Sequence, residues 1–283
     1  MAREEPQFFT VGNPPNQRRI AFRARAPARS GAPGLVWLCG YRSDMDSTKA
    51  SALDTEAERL GLALMRFDYS GHGRSPGRLE DGTISLWLEE ALALFRTQTH
   101  GPQIAIGSSM GGHLALLLAR ALHEAGESER LKGLILIAPA VDFTEALIWE
   151  RAPQAARRAI MEEGVWRPPS AYSDEPDCFT RALIEDGRKH LLLSGMIRTR
   201  CPVAVLQGMQ DESVPYTHAL KLMERLAGDP ATLTLVKDGD HRLSRRQDLE
   251  LLFDTLKRMI EQATESPLTS IPLRNGTDSI HAS

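Results

Sequence analysis

Paired cysteines, an excess of charge and an uninterrupted apolar span are all missing from this sequence. Its three cysteines, Cys39, Cys178 and Cys201, are irregularly spaced with no Cys-x-x-Cys pair, which excludes a zinc ribbon or dithiol redox motif and fits a reducing, cytoplasmic setting. Thirty-four basic and 37 acidic residues leave a net charge of −3, giving no electrostatic reason to expect nucleic acid or an anionic membrane surface as a partner. The charge-free stretch 101–119 is long enough for a membrane span but contains Pro102, Gly107, Ser108, Ser109, Gly111 and Gly112, so no stable membrane insertion is expected. Met1 to Pro6 lacks the apolar core of a secretory signal, and Glu4 and Glu5 argue against a transit peptide. What is present is ordinary globular composition, 42% hydrophobic and 25% charged over 283 residues, enough to bury about three quarters of the surface exposed on unfolding.

Apolar patterning supplies the architecture. Phe8 to Val11 and the alternating Ile20, Phe22 and Ala24 flank Asn13-Pro14-Pro15-Asn16, a turn signal that predicts an opening hairpin. Six short apolar runs follow, Leu35 to Cys39, Leu62 to Met65, Ile104 to Ile106, Leu134 to Ile137, Val203 to Leu206 and Leu233 to Val236, as expected for strands buried on both faces. Helical stripes lie between most of them or beyond the last, such as Ile84, Trp87, Leu88, Ala91, Leu92 and Phe95, and Leu249 to Ala263. The alternation predicts an α/β fold, a mostly parallel sheet flanked by helices. Residues 141–200 break the rhythm with helical pieces at Glu145 to Glu163 and Phe179 to Arg188 and no convincing strand. They are expected to form a helical cap inserted into one discontinuous core, 1–140 and 201–264, with 265–283 as a flexible tail.

Gly107-Ser108-Ser109-Met110-Gly111 matches G-x-S-x-G, a pattern that arises by chance in roughly one chain in ten of this size. Its context is more specific: a strand-like run enters it and an apolar helix leaves it, the sharp turn that exposes a nucleophilic serine. The alternative is a Gly-rich helix start or phosphate cradle, but the P-loop lysine and the G-x-G-x-x-G spacing are both absent. Ser109 is therefore the candidate nucleophile.

A serine hydroxyl needs a base, usually a histidine held by a carboxylate. His241 follows the last strand, at the same sheet edge as the serine. His113 reads as a packing residue, His72 as a group that shapes the site, and His100, His123, His190, His218 and His281 as surface residues. Asp211, after the Val203 to Leu206 strand, is the favoured acid; Asp142 is the runner-up, Glu212 a local rival, and Asp238 and Asp240 read as loop and capping residues. Oxyanion donors should be the backbone N–H groups of Met110 and Tyr41. Arg42, His72, Trp149 and Trp166 are the expected substrate contacts. Leu147, Ile148, Ile160, Met161, Val165 and Met196 either line an acyl pocket or pack the cap, and Arg151, Arg157 and Arg158 offer positive charge for an anionic leaving group or form a solvated face. No cofactor or metal is expected.

The order Ser109, Asp211, His241, with the Gly40-Tyr41 loop and Asp68-Tyr69-Ser70-Gly71-His72-Gly73-Arg74-Ser75, resembles the α/β-hydrolases. Gly40 to Met45, Thr48-Lys49-Ala50 and Arg66 to Gly71 are similar to the branch containing palmitoyl-protein thioesterases that also cleave acyl glucuronides. The resemblance implies hydrolysis of a carboxylic ester or thioester, in a small molecule or an acylated protein, through an acyl-enzyme. A peptidase or perhydrolase with the same residues, or a hydrolase-fold binding module without catalysis, are the alternatives.

Overall fold

The computed structural model describes residues 5–28, 31–170 and 174–264; the expected tail, 265–283, lies outside them. A hairpin of β1 (Gln7–Val11) and β2 (Arg18–Arg25) opens the chain. Then follow β3 (Gly34–Leu38), α1 (Thr48–Leu60), β4 (Leu64–Phe67), α2 (Ile84–Gln98), β5 (Gln103–Ser108), α3 (Met110–Glu124) and β6 (Leu131–Ile137). The inserted segment holds π-helical Phe143–Trp149, α4 (Gln154–Arg158), π-helical Ala159–Glu163, β7 (Val165–Trp166), β8 (Phe179–Thr180) and α5 (Arg181–Gly187). The chain returns with β9 (Val203–Gly208), α6 (Tyr216–Arg225), β10 (Ala231–Val236) and α7 (Arg246–Thr264).

Among the described residues the main sheet runs β1-β2-β4-β3-β5-β6-β9-β10. The pairs β1/β2 and β2/β4 are antiparallel and all others parallel. Strands β3, β5 and β9 are buried at every position, because helices cover both faces and leave no polar side for alternation. Helix α3 has eleven of its fifteen residues buried, whereas α1 buries Ala50, Leu53, Glu56 and Ala57 on one side and exposes Thr48, Thr55, Glu58 and Arg59 on the other. Local chemistry sets the ends: Thr83 caps α2 by accepting the Leu86 N–H at 3.2 Å, and Gly61 ends α1 at φ 65°.

The insertion departs from its sequence reading in one respect. Val165–Trp166 and Phe179–Thr180 pair as a small antiparallel ladder where no strand was expected; two residues are too few to show a period. The segment's two ends are tied to each other, and its later part is tied to the core. Asp142 accepts the backbone N–H groups of Leu192 and Leu193 at 2.8 Å each, and Asp186 accepts the Ser85 N–H and hydroxyl at 2.8 Å each. Since β3, β5, β6, β9 and β10 are parallel, the loops that follow them all emerge at one edge of the sheet.

Candidate active site

Ser109 occupies the turn between β5 and α3 at φ 54° and ψ −118°, a backbone conformation that persists for a side-chain-bearing residue only where its surroundings enforce it. They do so here. The Ser109 N–H donates to the Ile137 carbonyl at 2.9 Å, and its own carbonyl accepts from Gly112 and Ala140. The turn also needs Gly111, where a Cβ would overlap the Leu38 carbonyl oxygen of the neighbouring strand.

His241 reaches this serine from the loop after β10, with Nε2 3.1 Å from Ser109 Oγ, and its Nδ1 lies 2.8 Å from Asp211 Oδ2. An ionised carboxylate can only accept, so the ring proton is assigned to Nδ1 and Nε2 faces the serine hydroxyl as an acceptor. Asp211 is fixed in turn: its Oδ1 accepts the N–H groups of Ser213 and Val214 at 3.0 and 2.8 Å, and Oδ2 accepts from Gln207 Nε2 at 3.1 Å. Gln207, fully buried on β9, also donates to the Gly208 and Val214 carbonyls. It was missed in the sequence, where the one signal was its place four residues before the acid.

The other carboxylates stand elsewhere. Asp142 serves the Leu192 and Leu193 backbone, Asp238 pairs with Arg245, and Asp240 caps the turn at Leu243. Met110 is the first residue of α3, so its N–H has no acceptor within the helix and lies at the positive end of the helix dipole. Tyr41 follows Gly40, which abuts the serine: a Cβ there would lie 3.2 Å from the Ser108 carbonyl oxygen and 3.3 Å from Ser109 Cβ.

A cavity of about 620 Å³ opens onto Ser109 and His241. Phe143, Leu147, Ile148, Trp166 and Phe179 give it an apolar wall from the insertion, while Arg42, Lys49, Arg151 and Arg242 carry cations among its lining. Of the expected substrate contacts, Arg42 and Trp166 line it, whereas His72 and Trp149 do not. Trp149 is held between the guanidiniums of Arg157 and Arg188, 5.5 and 4.9 Å from its ring centre. His72 is buried with its ring edge-on to Tyr41 and Trp87, and burial lowers its pKa to about 4. Among the apolar residues left open, Leu147 and Ile148 line the cavity, Ile160 is core, and Met196 is 61% exposed.

Two histidines differ from their surface reading. His218 is buried and donates from Nε2 to the Val141 carbonyl at 2.7 Å, and His190 is half-buried beside the Ser85 hydroxyl. His281 lies outside the described residues. His113 is buried, with Nδ1 accepting the Asp142 N–H at 3.3 Å, and burial lowers its pKa to about 3. Cys39 is likewise buried, and burial pushes its thiol far up, as suits a small core side chain. The Lys49 ammonium donates to the Arg242 carbonyl beside His241, and burial lowers its pKa to about 8. Among the described residues no three His, Cys, Asp or Glu side chains converge as a metal site, and no helix is long and apolar enough to cross a membrane.

Comparison with known proteins gives matches along most of the chain. A family model described as the alpha/beta hydrolase family matches residues 21–254. A human protein named palmitoyl-protein thioesterase ABHD10, mitochondrial, is 33% identical over 251 residues, 88% of this chain and 79% of that one. The crystal structure of a putative hydrolase from Agrobacterium vitis S4 superposes with a TM-score of 0.87 at 50% identity, covering 90% of this chain and 98% of that one. The structure of mouse alpha/beta hydrolase domain-containing protein 10 gives a TM-score of 0.79 at 31% identity, covering 90% and 99%.

Proposed function

The chain belongs to the alpha/beta hydrolase family and is a hydrolase of esters or thioesters, and from that premise we propose that Ser109, His241 and Asp211 form its catalytic triad. The observation that carries this reading is the single imidazole of His241, 3.1 Å from the Ser109 hydroxyl and 2.8 Å from the Asp211 carboxylate, with Ser109 and His241 lining the cavity.

The Ser109 proton moves to His241 Nε2 as Oγ bonds to the acyl carbon, and the carbonyl π pair moves onto oxygen. The N–H groups of Met110 and Tyr41 stabilise that oxyanion, a contribution of about 3 kcal/mol per donor. Asp211 holds the imidazole and stabilises its charged form without taking the proton. The tetrahedral intermediate then expels the alcohol or thiol, which leaves with the proton from Nε2. Water repeats the sequence on the acyl-enzyme, losing its proton to His241 and releasing the acid and free Ser109.

Segment 141–200 acts as the substrate-selecting cap on a core of 1–140 and 201–264, and its apolar wall takes the acyl chain. The names of the ABHD10 relatives support a thioester of a fatty acyl group on a protein. A reducing compartment such as the cytoplasm is supported by three cysteines without disulfides; the word mitochondrial in those names is said of those proteins.

A fluorophosphonate probe tests the site: the reading expects labelling of wild type and none of Ser109→Ala. Equal labelling of both proteins overturns it. Matched oxygen and sulfur esters of graded chain length then give the preference, with higher kcat/KM expected on long-chain thioesters.

A further inference from the structure

Two consecutive side chains leave the loop after β3 and cross to the inserted segment. The Tyr41 hydroxyl donates to the Cys178 carbonyl, 137 positions away, and its ring stacks on Phe179 at 5.7 Å with 24° between the planes. The Arg42 guanidinium donates to the Glu175 and Pro176 carbonyls and lies 3.3 Å from the Asp177 carboxylate. Glu175 to Phe179 is thus fastened to two loop residues. Three of these anchors fall on main-chain carbonyls, and the Asp177 and Glu175 carboxylates and the Phe179 ring add side-chain contacts to them.

The same loop abuts the nucleophile at its other end, since Gly40 leaves no room for a Cβ free of close contact with Ser109. Arg42 sits at φ 57°, unfavourable for a residue with a Cβ and kept where its surroundings hold it. Tyr41 is supported from beneath by the edges of His72 and Trp87, 6.1 and 6.0 Å between ring centres.

We infer that Tyr41 and Arg42 are positioning residues whose side chains, by tying the loop to Glu175–Phe179, hold the Tyr41 N–H in the oxyanion hole. This rests on the proposed role of that N–H. Cap position and oxyanion stabilisation are then one variable. An acyl group that fits between Phe143, Trp166 and Phe179 leaves the tie intact, and one that displaces the segment loses turnover as well as affinity. Substrate selection by the cap is expressed in kcat because the donor it positions acts on the transition state.

The test uses Tyr41→Phe, which removes the hydroxyl and keeps the ring, and Arg42→Lys, which keeps the charge and loses the fork. For each, kcat and KM are measured on p-nitrophenyl butyrate, with the inhibition constant of a trifluoromethyl ketone that forms a tetrahedral adduct and the melting temperature. Each variant is expected to lower kcat about tenfold and to weaken the ketone by the same factor, with KM within about twofold. Unchanged kcat in folded protein overturns the coupling, as does a rise in KM with the ketone unaffected, which marks a ground-state contact. If Tyr41→Phe does not fold, Arg42→Lys decides alone. Wild-type turnover that does not depend on Ser109 overturns the hydrolase-site reading itself, whereas an active wild type with both variants unaffected overturns the coupling alone.

Discussion

Asp211 and His241 meet at 2.8 Å, with the aspartate's other carboxylate oxygen held by the N–H groups of Ser213 and Val214. Asp142, the other acid at a strand end, instead holds the backbone of Leu192 and Leu193. The two aspartates therefore separate by readout. Asp211→Asn is expected to lower kcat by about 10⁴-fold with the fold intact, because an amide no longer fixes the imidazole tautomer. Asp142→Asn should keep kcat/KM within about fivefold but lose about 1–3 kcal/mol of stability, since an amide can accept one of the two N–H groups and clashes with the other. Steady-state kinetics and urea unfolding on both variants check this.

Gly111 touches the neighbouring strand where a methyl group would overlap the Leu38 carbonyl oxygen. Gly111→Ala should cost about 1–3 kcal/mol, the usual penalty of overpacking. It should also move the elbow and reduce labelling of Ser109. The denaturant midpoint and the rate of fluorophosphonate labelling measure the two effects.

His113 is buried and its folded pKa is lowered to about 3 from an ordinary 6.5. Between these values the unfolded chain binds the extra proton, so this group's contribution weakens stability as pH falls below 6.5. Asp68 works the other way, because burial raises its pKa to about 6 and the folded chain takes up its proton first. The comparison of wild type with His113→Asn isolates the histidine, since the asparagine oxygen can still accept the Asp142 N–H. The variant should show a stability slope smaller by about 1.4 kcal/mol per pH unit between pH 6 and 4. Equal slopes in urea titrations at several pH values would rule this out.

Lys49 donates to the Arg242 carbonyl next to His241, and burial, only partly offset by Asp240, lowers its pKa to about 8. As pH rises through 8 the ammonium loses its proton and its hydrogen bond to that carbonyl weakens. Wild-type kcat/KM should therefore decline above pH 8. Lys49→Arg should remain flat to higher pH, and Lys49→Met should be low throughout. The pH profiles of the three proteins decide it.

Much of this architecture is legible in the residues themselves. Unbroken apolar runs specify strands covered on both faces, as at Ile104 to Ile106, and the 3.6-residue stripe of Leu252, Leu256 and Met259 specifies a helix with one buried side. Gly107-Ser108-Ser109-Met110-Gly111 is readable because a strained turn demands small residues at fixed spacing. Strand ends locate Asp211 and His241 because parallel strands deliver their following loops to one edge.

Side-chain contacts over long separations were not readable, because no local periodicity encodes them. The sequence by itself determined the element order outside the insertion, the elbow and which residues stand at the strands' carboxyl ends, since each is a local consequence of spacing and side-chain size. Only the tertiary structure decided that Trp149 lies between two arginines, that His72 backs Tyr41 away from the cavity, and that Arg42 is committed to the carbonyls of Glu175 and Pro176. The first two are packing contacts inside the insertion and inside the core, and the last depends on where the insertion comes to rest on the sheet edge, which is set by hydrogen bonds between segments more than a hundred residues apart.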